Sequence, residues 1–153
     1  YKWPIMYRPI WYYSGSISDT VKEGISSFGN PLVWWAAIQA FFYTAYKART
    51  DAPARFLCVG YLSGLLPWIP VTRITFIYHY FPCVPFAALM VGYATHGLLG
   101  GKRYEKRALA VYALCAAALF AMFYPVLSGQ PVSVWYVKHF LKWSSQWIFV
   151  SGA

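Results

Sequence analysis

Arg73 and His79 stand within one aromatic- and proline-rich stretch, residues 66–86, LPWIPVTRITFIYHYFPCVPF. A guanidinium keeps its charge and matches phosphate oxygens with two parallel N–H donors. An imidazole beside it supplies a further donor, and Tyr78 and Tyr80 flank that imidazole with hydroxyls. A cation and a histidine next to apolar runs are costly at a membrane boundary and mark functional positions there. Pro82 and Pro85 lack amide donors, which is expected to free the carbonyls of Tyr78 and Phe81. Irregular backbone at membrane depth is tolerated where it lines a cavity or is buried in protein. Each feature also has a plainer reading. Arg73 fits a snorkelling anchor, His79 a contact with a neighbouring helix, and the prolines a packing kink. Taken together on one face, they describe a pocket for an anionic headgroup whose lipid tail stays in the bilayer. Arg8, in the segment WPIMYRP, is expected on the same side and joins them.

General-base chemistry is missing from this set. The acidic residues are Asp19, Glu23, Asp51 and Glu105, and none is placed by its surroundings to deprotonate an acceptor, which requires hydrogen-bond reach. Asp19 and Glu23 have helical spacing but sit in a Ser- and Gly-rich stretch that reads as solvated loop. No Gly-rich phosphate loop, nucleophile motif or metal-ligand spacing occurs. Catalytic and metal-binding residues are therefore expected to be absent from this segment, and no cofactor is expected. Cys58, Cys83 and Cys115 stand singly in apolar surroundings and read as small packing residues. His96 reads as a helix contact and His139 as an interfacial polar group.

Composition gives the setting for the pocket. Apolar residues make up 59% of the chain, aromatic residues 22% and charged residues 11%. An average soluble domain carries about 25% charged residues, so an integral membrane protein is the economical reading. The formal charge of +9 does not imply nucleic acid, because the cations fall between apolar runs as membrane-flanking anchors.

Four charge-poor stretches, 31–46, 56–69, 74–99 and 108–127, are predicted spans of an all-α helical bundle. Crossing the hydrocarbon takes about 20 residues. Asn30 can cap the first span, and Pro31 suits its first position. Residues 1–28 form an external or interfacial lead-in, 29–127 the spans, and 128–153 an external tail. The connections carrying Lys47, Arg49 and Arg55, and Lys102, Arg103, Lys106 and Arg107, are expected to face the cytoplasm. Arg73 and the IYHYFP string then fall at the outer boundary. In the tail, Tyr136, Phe140, Trp143 and Trp147 recur at helical spacing, which predicts an amphipathic interfacial helix over 136–147.

Several blocks recur in order along the chain: Trp3-Pro4 through Arg8-Pro9, Trp11-Tyr12-Tyr13, Gly29-Asn30-Pro31 with Trp34-Trp35, and Tyr61-Leu62-Ser63 with Leu66-Pro67-Trp68. Arg73, Phe76 through Pro82, and Phe123-Tyr124-Pro125 with Leu127-Ser128-Gly129 and Pro131-Val132 complete the set. In these blocks the chain resembles the C-terminal four-span region of the protein O-mannosyltransferases, which have the GT-C glycosyltransferase architecture. The resemblance implies a multi-pass enzyme that moves mannose from a polyprenyl-phosphate carrier to a hydroxyl of a protein or other acceptor, with inversion at the sugar carbon. The carrier is a substrate rather than a cofactor. The family's acidic catalytic motif lies in an early external loop outside this segment, so the resemblance makes the chain a piece of a longer enzyme. Arg73, His79, Tyr78, Tyr80 and Arg8 are then the expected carrier-phosphate contacts. Partners are the lipid-linked sugar, the acceptor, membrane lipid and the N-terminal remainder, with a dimer left open. The membrane would be the plasma membrane in a bacterium and the endoplasmic reticulum in a eukaryote. The competing class is a non-catalytic scaffold or partner-binding subunit. A small channel is disfavoured because no span repeats a polar face.

Overall fold

The computed structural model describes residues 4–72, 76–100 and 103–151. They fall into two compact units, one of Tyr1–Ile5 with Pro31–Ala116 and one of Met6–Asn30 with Ala117–Ala153.

The first unit is helical. It contains α1 (Pro31–Lys47), α2 (Ala52–Leu65), α3 (Cys83–Leu99) and the first part of α4 (Arg103–Ser128). Pro31 opens α1, where its fixed φ suits a helix and its missing amide costs nothing. Lys47 closes it at the negative end of the helix dipole. Asp51 then caps α2: its carboxylate accepts the Ala54 amide at 3.2 Å and the Tyr93 hydroxyl of α3 at 2.7 Å. One carboxylate thus ends a loop and ties the start of α2 to α3. Gly100, at φ +60°, ends α3 in the left-handed conformation that glycine adopts without strain, its amide donating to His96 O at 2.7 Å.

The helices α1, α2 and α3 pack on one another. Gly60 and Gly64, one turn apart on α2, permit the close approach to α3. A Cβ at Gly60 would run into the Phe86 ring, and one at Gly64 would lie 2.8 Å from Cys83 Sγ. Small residues at this spacing let helix backbones meet closely.

The four helices stand where the four spans were expected, but their lengths differ. Among the described residues, Arg103–Ser128 is the one helix long and apolar enough to cross a membrane by itself. The helix Cys83–Leu99 is apolar but has 17 residues. The expectation of a helix from residue 74 is corrected: Ile77–Tyr80 forms a separate 3-10 turn, and α3 begins at Cys83. Pro82 precedes that helix and Pro85 sits in its first turn, where amides have no intrahelical partner. These prolines start the helix rather than kink it. The carbonyls of Tyr78 and Phe81 are not freed either, since they accept the amides of Phe81 at 3.1 Å and Val84 at 3.0 Å.

The second unit corrects the all-α expectation. Strands β1 (Ile10–Ser16) and β2 (Val21–Ser27) form an antiparallel hairpin, and β3 (Val132–Ser133) pairs with β2 to give the order β1-β2-β3. A bulge lies between Trp11 and Tyr13. Ser18 supplies the turn chemistry, its Oγ accepting the Val21 amide at 3.1 Å. Asp19 and Glu23 are therefore a turn and a strand residue, not one helical face.

The tail helix is shorter than its aromatic spacing predicts. Ser133 caps α5 (Val134–Tyr136), a π-type turn continues over Val137–Leu141, and Lys142 leaves helical geometry. Trp147 then turns inward, 3% exposed, and its Nε1 donates to Met6 O at 2.8 Å. It is a core residue rather than an interfacial one. Phe28 contacts Trp147 at 4.6 Å and Phe149 at 5.1 Å between ring centroids, and Phe123 contacts Phe149 at 5.6 Å. Trp11 Nε1 donates to Ile148 O, and Ser26 Oγ to Phe149 O. The hairpin and the tail thereby share one aromatic core.

Candidate functional site

The strongest cluster of polar and aromatic side chains from the expected set lies in the connection between α2 and α3. The short turn Ile77–Tyr80 carries Tyr78, His79 and Tyr80. A three-residue repeat places the first and last of four turn residues near one another and splits neighbours between inward and outward faces. Ile77 and Tyr80 are buried, and Tyr78 is exposed.

His79 is held on both sides. The Trp68 ring meets it edge-on with 4.1 Å between centroids, and the Tyr78 ring stacks on it at 4.2 Å. Phe76 extends the stack over Tyr78 at 5.7 Å. Nδ1 of His79 lies 3.2 Å from the Phe76 amide and 2.9 Å from the Phe76 carbonyl. The tautomer decides the bond: an unprotonated Nδ1 accepts the amide, and a protonated one donates to the carbonyl. Either way, the local backbone and two rings fix the orientation of the imidazole.

Tyr80 works differently from its neighbours. Its hydroxyl and that of Tyr61 on α2 lie 2.7 Å apart and bond to each other inside the unit. The two rings meet at 90°, and Trp34 of α1 packs 5.8 Å from Tyr80. Tyr80 therefore anchors the turn to two helices, while Tyr78 and His79 face outward from it.

Arg73 lies outside the described residues. Arg8 is exposed and belongs to the second unit. The structure thus brings together Tyr78, His79 and Tyr80, and adds Trp34, Tyr61 and Trp68, which sequence reasoning did not assign to the site. Trp68 had a signal in the Leu66-Pro67-Trp68 block, just before Arg73. Tyr61 had none that spacing could reveal, because its link to Tyr80 joins two elements.

The remaining titratable groups sit elsewhere. His96 Nδ1 lies 3.0 Å from Glu105 Oε1. His139 Nδ1 lies 2.8 Å from Trp135 O, with its ring stacked on that indole. Cys58 and Cys83 are buried free thiols, whereas Cys115 is exposed on α4 rather than packed. Among the described residues, no three His, Cys, Asp or Glu side chains gather as a metal site.

Curated relatives share the sequence over most of this chain. The chain is 28% identical to a polyprenol-phosphate-mannose–protein mannosyltransferase of Mycobacterium tuberculosis over 86% of its own length and 28% of the relative's. It is 25% identical to the protein of the same name from Corynebacterium glutamicum, over 95% of this chain and 31% of that one. A protein O-mannosyl-transferase 2 of Drosophila pseudoobscura pseudoobscura is 25% identical over 97% of this chain and 27% of its own length. The chain thus spans about a third or less of each of these relatives. No solved structure matches it. Residues 1–147 match the family described as the C-terminal four TMM region of protein-O-mannosyltransferase, and the chain belongs to that family.

Proposed function

We propose that this chain is the carrier-binding membrane part of a polyprenyl-phosphate-mannose-dependent protein mannosyltransferase. The observation that carries the reading is the clamped imidazole of His79, fixed between Trp68 and Tyr78 in the turn that follows Arg73 in sequence. In the reaction, an acceptor Ser or Thr hydroxyl attacks the anomeric carbon of mannose. A C–O bond forms there as the bond to the phosphate oxygen breaks, and its electron pair stays on the phosphate. The acceptor proton passes to a base outside this segment. Negative charge grows on the leaving phosphate, so preorganised donors lower the barrier there, typically by about 3 kcal/mol for one donor. Arg73 supplies the fork and permanent charge, and His79 a further donor. Tyr78 lines the same turn, Tyr80 holds it, and Arg8 is a second cation on the outer side. Four spans, with both basic connections on the cytoplasmic face, complete this reading.

The test uses the full-length enzyme with its lipid-linked mannose donor. Arg73→Lys keeps charge but loses the fork, so turnover falls, and Arg73→Ala lowers it further. His79→Ala lowers turnover in a folded protein, and His79→Gln separates a neutral donor from an imidazolium by whether it restores activity. Folded, membrane-inserted alanine variants with wild-type transfer rates would sink the assignment and favour a non-catalytic scaffold.

A further inference from the structure

The short helical stretch of the tail has one face in the core of its unit and one left uncovered. Val137 and Leu141 are fully buried, and the Tyr136 hydroxyl donates to Met122 O at 2.9 Å. These contacts fix which side chains point away. Trp135 is 61% exposed, Phe140 46% and Trp143 47%, the last with one edge held against Phe123 at 5.7 Å between centroids. Lys138 is exposed one turn after Trp135, Lys142 is half-buried one turn further on, and His139 stacks on the Trp135 ring at 4.7 Å. Regular helical spacing sets both lysines opposite the stripe of Tyr136, Phe140, Trp143 and Trp147. In the structure Trp147 lies in the core and Trp135 joins the outer surface, so cations and aromatic rings share it. Its charge has one sign. No acidic residue follows Glu105 in the chain, and among the described residues neither lysine forms an ion pair.

We infer that Trp135, Lys138, Phe140, Lys142 and Trp143 form a surface that docks on the headgroups of an anionic lipid bilayer. Indole and phenyl rings settle at the boundary between headgroups and acyl chains, where their apolar bodies leave water. Lysines beside them meet lipid phosphates, and each strengthens docking on an anionic surface about fivefold. An acidic polypeptide would answer the lysines alone. Only a bilayer offers negative charge and an apolar layer side by side along the whole surface. The inference uses none of the residues of the carrier-binding reading and stands or falls apart from it.

The experiment uses the full-length enzyme in phosphatidylcholine vesicles with and without phosphatidylglycerol. An environment-sensitive fluorescent amino acid replaces the exposed Ser145, and lipids quenching at known depths locate it. With phosphatidylglycerol, the emission should shift to the blue and the probe should read at the headgroup boundary. Lys138→Gln and Lys142→Gln are each expected to lower the ratio of docked to free tail about fivefold in these vesicles and to change little in phosphatidylcholine alone. Added salt should weaken the wild type in the same direction. Trp135→Gln should leave the dependence on phosphatidylglycerol in place but move the probe toward water. An unchanged melting temperature in detergent shows that these variants fold, and Lys138→Gln serves alone if Lys142→Gln does not. Equal docking on both kinds of vesicle overturns the inference, as does a probe near the bilayer midplane. A probe that stays in water over both vesicles, and is shielded only by added polyglutamate, also overturns it and gives the surface to an acidic polypeptide.

Discussion

The hydroxyls of Tyr61 and Tyr80 face each other at 2.7 Å inside the helical unit, with their rings at right angles. This pair joins α2 to the turn that presents His79. Neither hydroxyl has water to fall back on, so each is satisfied through the other.

Replacing one member of the pair should therefore hurt more than replacing both. Tyr61→Phe or Tyr80→Phe leaves a buried hydroxyl unpaired, costing about 1–3 kcal/mol, whereas the double variant removes donor and acceptor together. A double-mutant cycle on thermal unfolding in detergent checks this. Strict additivity of the two single losses would show that the hydroxyls are not coupled.

The contact of α2 with α3 depends on the absence of side chains at Gly60 and Gly64. Gly60→Ala would drive a Cβ into the Phe86 ring, and overpacking of this kind costs about 1–3 kcal/mol. Gly92→Ala is the matched control, since a Cβ there meets nothing within 4 Å. Its expected effect is neutral to favourable by up to about 1 kcal/mol from helix propensity. Equal loss of stability in both variants would contradict the packing.

Phe149 locks the C-terminal tail into the hairpin unit, fully buried against Phe28 and Phe123. Phe149→Ala should cost about 3–5 kcal/mol for that unit and expose the hairpin. Limited trypsin digestion reads this as faster cleavage at Lys22, which pairs with Val132 of β3. An unchanged cleavage rate would mean that the tail does not support the strands.

Tyr13 donates its hydroxyl to Glu23 Oε1 at 2.7 Å across the hairpin. That hydrogen bond, followed by the carboxylate's charge, raises the phenol above its ordinary ionisation range. A group whose folded pKa is raised contributes stability below its unfolded value, about 10 for tyrosine, and loses it as pH rises through the folded value. In alkaline difference absorbance, Tyr13→Phe should remove one phenol from the late-titrating group, and Glu23→Gln should return that phenol to the ordinary range. No difference between wild type and Glu23→Gln would show that the bond does not form in solution.

The amino-acid sequence by itself placed the four helices, because charge-poor runs interrupted by Lys, Arg, Gly and Pro leave little choice of where apolar helix begins and ends. It also drew attention to residues 66–86, where Arg73, His79 and their aromatic neighbours are contiguous in the chain, but it read Ile77–Tyr80 as part of a span rather than as a separate turn. What it misjudged were features set by distant partners. The hairpin of residues 10–27 has no strict alternation, and it becomes a sheet through pairing with Val132–Ser133 and packing beneath Phe149. The tail repeats aromatics at helical spacing, yet Trp147 leaves that face because Met6 O and the Phe28 ring lie more than a hundred residues away in sequence and give it a drier place. Pro82 and Pro85 carry the same covalent constraint in a kink and in a helix start, and only the hydrogen bonds around them tell the two apart. The pairing of Tyr61 with Tyr80 was likewise invisible in one dimension. Hydrogen-bond satisfaction is a property of the atoms that tertiary packing brings into reach, and spacing along a chain does not encode it.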